Sequence, residues 1–128
     1  LLTVAREWFE LGARARPNYA PAQLGIALSY AFQIYVARGD GQKPDESLFT
    51  KAQEALAKAQ AITRDPIWMQ IGSAFVLDQL GKGREADRAM QIANRLDPQR
   101  VGSVRPPDPP RLIELLQAFL FVPMIQAP

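Results

Sequence analysis

The sequence predicts an all-α fold, and three observations carry that expectation. No stretch alternates Val, Ile or Thr with polar residues over four or more positions, as a half-buried strand would require. Breakers at Pro17-Asn18, Gly39-Asp40-Gly41 through Pro44-Asp45, Asp65-Pro66, Gly81-Lys82-Gly83 and the run from Asp97 to Pro110 cut the chain into segments of helical length. Inside those segments, apolar residues recur three and four positions apart.

The first segment, Leu2 to Arg16, sets Val4, Ala5, Trp8, Phe9 and Gly12 on one stripe, with Arg6, Glu7, Glu10 and Arg14 largely opposite. Burial of that stripe is expected. The second, Ala20 to Arg38, has Pro21 where proline suits a first turn and repeats Leu24, Ala27/Leu28, Ala31 and Ile34/Tyr35, so it is apolar over more than one face. Glu46 to Thr63 is Ala-rich and helix-prone, with Leu48, Ala52, Ala55/Leu56, Ala59 and Ile62 in register and Asp45 or Ser47 placed to cap it. Ile67 to Leu80 carries Trp68, Ile71, Phe75 and Gln79 on one side, Ala74, Leu77 and Leu80 toward another, and stops at Gly81. Arg84 to Leu96 turns Ala86, Ala89/Met90, Ala93 and Leu96 inward.

Composition removes many function classes before any motif is sought. The 128 residues contain no Cys and no His, which excludes disulfide frameworks, thiolate or imidazole metal sites and Cys/His or Ser/His nucleophile systems. Fifteen Lys+Arg against thirteen Asp+Glu leave +2, and the arginines are spread with acids between them, so no stripe that tracks nucleic-acid phosphates is expected. The uncharged stretch between Arg16 and Arg38 holds Pro17, Asn18, Pro21, Gln23, Ser29 and Gln33, which fits a buried helix and not a membrane span. Gly39-Asp40-Gly41-Gln42-Lys43 lacks the spaced carboxylates of a calcium loop, and Gly81-Lys82-Gly83-Arg84 follows a helix without the spacing of a phosphate-binding loop. No cofactor, no metal and no catalytic residue is therefore expected. The first residue is Leu1, and a piece of a longer protein is expected.

A repeat is expected beneath the helices. Pro66 and Pro98 lie 32 residues apart, and counting back from Pro98 finds small residues at Ala93, Ala86 and Ala74, a bulky one at Met90 and a turn glycine at Gly81. Counting back from Pro17 finds Gly12, Phe9 and Ala5; counting forward finds Ala27 and Tyr30. On these residues the chain resembles the tetratricopeptide repeat family, whose unit is a helix pair of about 34 residues ending in proline. The likeness covers roughly residues 2–98. Pro17 to Pro66 is 49 residues, longer than the family's period, and the family's Trp position holds Gln23 and Gln70.

That resemblance implies a right-handed solenoid of antiparallel helix pairs whose first helices line a concave, mostly apolar groove. The implied lining is Leu24, Leu28, Ala31 and Phe32 in one repeat, and Trp68, Ile71, Phe75, Asp78 and Gln79 in the next. A branch of the family clamps chaperone C-terminal carboxylates with Lys and Asn at such positions. Leu24, Leu28, Ile71 and Phe75 stand there instead, which disfavours that partner.

After the repeat region, 1–98, the reading places a Pro-rich linker over 99–110 and an apolar packing helix over 111–123, the whole forming one domain. Val104 to Pro110 should be extended, with Asp108 or Pro110 opening the last helix. Its Leu112, Leu116, Phe119 and Leu120 must cap the solenoid, fill its groove or pair with a second chain as a homodimer. The expected function is a non-catalytic, cytoplasmic scaffold that binds a peptide or partner domain, with no nucleic acid and no membrane involved. Two alternatives stand beside it: a structural or oligomerisation module, and the regulatory repeat region of a larger bacterial signalling enzyme.

Overall fold

The computed structural model of the chain describes residues 2–121. Among these it is all-helical, with no strand: α1 (Leu2–Ala15), α2 (Ala20–Gly39), α3 (Glu46–Ile62), α4 (Ile67–Gln79), α5 (Gly83–Leu96), the one-turn α6 (Pro98–Val101) and α7 (Pro109–Leu116), which runs on into a π-helical turn at Gln117–Phe121. Val122 and Pro123, the end of the expected last helix, lie outside the described residues.

Local chemistry explains the boundaries. The α2 N-terminus has proline in its first turn, where the missing N–H costs no hydrogen bond. Asp45 caps α3, its side chain accepting from the Ser47 N–H at 2.9 Å; of the two expected cap residues, Asp45 is the one that acts. The chain leaves α4 through Gly81 at φ +79°, in the left-handed region that favours glycine. Asp97 and Asp108 cap α6 and α7 by accepting from the N–H groups of Arg100 and Arg111.

The chain divides into two compact units, Leu1–Arg64 and Asp65–Pro128. In the first, α2 packs on both α1 and α3. Ala27, Ala31 and Ile34 of α2 are fully buried, as are Ala52 and Ala59 of α3. The α1–α2 contact is tight: Gly25 sits under the Phe9 ring, where a Cβ would come within 2.5 Å of Cδ1.

In the second unit α4 is the central helix, packing on α5 and, at another side, on α7 and the π-helical turn. This explains why every residue from Ile71 to Leu77 is buried. The expected Pro-rich linker is part of this unit. It begins with α6, which packs on α5, and Val101 and Pro107 are buried. Arg111 fastens it, Nη2 donating to the carbonyl oxygens of Arg100 and Val101 at 2.9 and 3.0 Å, and the Arg100 guanidinium lies 4.3 Å from the Phe119 ring centroid. Leu112, Leu115, Leu116, Phe119 and Leu120 are all buried. The apolar side for which capping, groove filling and a homodimer were the alternatives is thus covered within its own unit.

Several inward positions are corrected. Trp8 is 71% exposed, and Leu96, placed inward on α5, is 59% exposed. Adjacent residues in a helix point about 100° apart, so when Phe9 faces α2, Trp8 turns away. Leu96 ends its helix and lies beyond the contact that buries Ala86, Met90 and Ala93.

Candidate functional site

The expected groove lining does not form an open surface. Leu24, Ile71 and Phe75 are at most 1% exposed, and Leu28 and Gln79 are also buried. Phe32 and Trp68 are half-buried, and Asp78 alone of the set is exposed. The physical reason lies in α2 and α4, which are apolar on more than one side. The face assigned to a ligand is occupied by the protein's own packing, as at α4, where α7 and the following turn lie. The nine residues of that lining are also divided between the two compact units.

The first unit instead has an open hollow between α1 and α3 over α2. It comprises two adjoining parts, about 340 and about 220 Å³, which share Glu10, Gln23, Ile26 and Lys58. Residues of α1 (Ala13 and Arg14) extend it at one end, and Tyr30 of α2 with Lys51 and Glu54 of α3 close the other. Gln23, Ile26 and Tyr30 fall three and four residues apart, so one side of α2 makes the floor. Lys51, Glu54 and Lys58 stand at matching spacing along α3.

Tyr30 anchors the charged wall. The Arg6 guanidinium lies over its ring at 4.3 Å from the centroid, and the Lys51 ammonium is 5.9 Å away. The ring's negative face attracts both cations. Arg6 is further held by Nη1 donating to Gln33 Oε1, and by Glu10 at 3.9 Å. Such an arrangement offers hydrogen-bond donors, a half-buried aromatic edge and paired charges. Among the described residues no group of three acidic, His or Cys side chains could hold a metal ion, and no helix is long and apolar enough to cross a membrane.

Sequence reasoning missed this hollow because it followed the most apolar stripe of α2. The usable signal was the second stripe, Gln23-Ile26-Tyr30, with the Lys51-Glu54-Lys58 stripe that runs along it. No protein-family model, curated protein or solved structure matches the chain.

Proposed function

We propose that the chain is a tetratricopeptide-like helical-repeat scaffold that binds a peptide or partner domain and performs no catalysis, with its contact surface in the α1–α2–α3 hollow. The observation that carries this reading is that hollow: an open, mixed-charge trough on a helical floor, with the Arg6 and Lys51 cations both beside the Tyr30 ring. An extended peptide finds there both backbone partners and a place for an apolar side chain against Ile26 and Tyr30. Support for the repeat comes from its small positions: Ala27, Ala74, Ala86 and Ala93 are fully buried, as close helix pairing demands.

Selection of displayed random peptides against the intact chain tests it. Enriched peptides should lose binding to Lys51→Glu/Lys58→Glu, both residues being exposed, while the melting temperature stays unchanged. Enrichment that is indifferent to this double substitution sinks the assignment of the hollow.

A further inference from the structure

The most exposed large apolar side chain described in the molecule is Trp8, and it does not stand alone. Leu11 is 52% exposed and Ala15 is also exposed, so Trp8, Leu11 and Ala15, three and four residues apart, make one apolar stripe along α1. The side of α1 that faces α2 is a different one, set by Phe9 over Gly25 and by the buried Ala13. The stripe is therefore not a by-product of that packing.

Charge selects the occupant. Glu7 and Arg14, both exposed, lie seven residues apart, two turns and about 10.5 Å along the same flank of the stripe. A twofold axis crossing α1 between Glu10 and Leu11 relates the level of Glu7 in one copy to that of Arg14 in an antiparallel second copy. Both ion pairs then form at once, one on each side of the axis. At that register Trp8 falls at the level between Leu11 and Ala15 of the other copy, and the small Ala15 leaves room for the indole. A parallel pairing brings the two Glu7 residues to one level and forfeits both ion pairs.

We propose that two copies of this chain associate through antiparallel α1 helices, with Trp8 and Leu11 as the apolar seam and reciprocal Glu7–Arg14 ion pairs setting the direction. This isologous surface goes beyond the peptide-binding reading; Arg14, at one end of the hollow, is common to both, while Lys51 and Lys58, which test the hollow, lie on α3 outside the seam.

Sedimentation equilibrium of the intact chain from about 1 to about 300 μM tests it, a range suited to a small interface. The expected result is a reversible monomer–dimer equilibrium. Leu11→Glu should give a monomer whose helicity and melting temperature match the parent's at concentrations low enough to keep the parent monomeric. Glu7→Arg or Arg14→Glu should each weaken the dimer by about tenfold, since each turns two attractions into repulsions, and the double reversal should restore affinity to within about threefold. Three results would overturn the proposal: a monomer across the whole range, a dimer that survives Leu11→Glu, or a double reversal that fails to recover.

Discussion

Both units place a nearly all-apolar helix at the centre, α2 in one and α4 in the other, yet they cover it differently. In Leu1–Arg64 the flanking helices, α1 and α3, are the neighbours in sequence. In Asp65–Pro128 one flank is the neighbour α5, and the other is α7, brought back from beyond a Pro-rich strap. A central helix with two apolar sides needs two partners, and the chain supplies the second from whichever direction is free. The unit that uses its tail buries five large side chains of that tail, whereas α1 keeps Trp8 and Leu11 exposed. An amphipathic helix on the rim of a unit can be saturated or left with an open face, and that difference decides which surface is available for assembly.

The sharpest contrast is between Phe75 and Trp8. Phe75→Ala empties a site that is 1% exposed and should cost about 3–5 kcal/mol in chemical denaturation, as core aromatic truncations do. Trp8→Ala removes a larger ring but should stay within about 0.5 kcal/mol at concentrations low enough to keep the chain monomeric. Equal costs would erase the distinction between the covered and the open helix.

Much of this architecture was legible in the sequence. The limits of α1 to α5 fall within one residue of the expectation because Pro17, Gly41, Pro66 and Gly81 act locally, through φ and missing donors, whereas α6 inside the expected linker was not anticipated. The obligation of Leu112, Leu116, Phe119 and Leu120 to be hidden was equally plain, as it depends only on their area. Their destination was not, because on α4 periodicity is silent when all sides are apolar. Nor was the orientation of α1: Trp8 and Phe9 are adjacent and equally apolar, and what selects Phe9 is Gly25 on another helix. The Arg111 bonds to carbonyls ten and eleven residues earlier are invisible to any local pattern.

The α1–α2 contact can be broken from the other side. Gly25→Ala places a methyl within 2.5 Å of the Phe9 ring, which must leave its position. Alanine's better helix propensity returns part of the loss, so a net cost of about 1–2 kcal/mol is expected. Combining it with Phe9→Ala should make the glycine substitution neutral or favourable, because the clash is gone. A double variant in which the Gly25→Ala cost persists would place its origin elsewhere.

In the second unit the equivalent point is Arg111. Loss of two bonds to backbone carbonyls in Arg111→Ala should cost about 1–2 kcal/mol. Arg111→Lys should recover less than half of it, since a single ammonium does not reproduce a guanidinium that donates to two carbonyl oxygens and, through Nη1, to Glu114 at 3.0 Å. Full recovery by lysine would mean that charge near the end of α6, and not the fork, fastens the strap.

The smallest effect compares the caps. Bonds from the Ser47 backbone N–H and then from its side chain hold the Asp45 carboxyl below its ordinary value, while at Asp97 the Arg100 guanidinium comes first and the Arg100 N–H second. A carboxyl whose pKa is lower in the folded chain contributes stability that is fully present above the unfolded value near 3.8 and is lost as pH falls through the folded one. Melting temperature should therefore decline as pH drops from about 5 toward about 2. Asp45→Asn and Asp97→Asn keep a cap acceptor but cannot titrate, and each should flatten that decline. Salt separates the two: at about 1 M ionic strength the Asp97 contribution, an exposed ion pair with Nε–Oδ2 at 2.7 Å, should shrink, while that of Asp45, made to uncharged donors, should persist. If both asparagine variants keep the full acid slope of the parent, the caps are not what acid titrates in this fold.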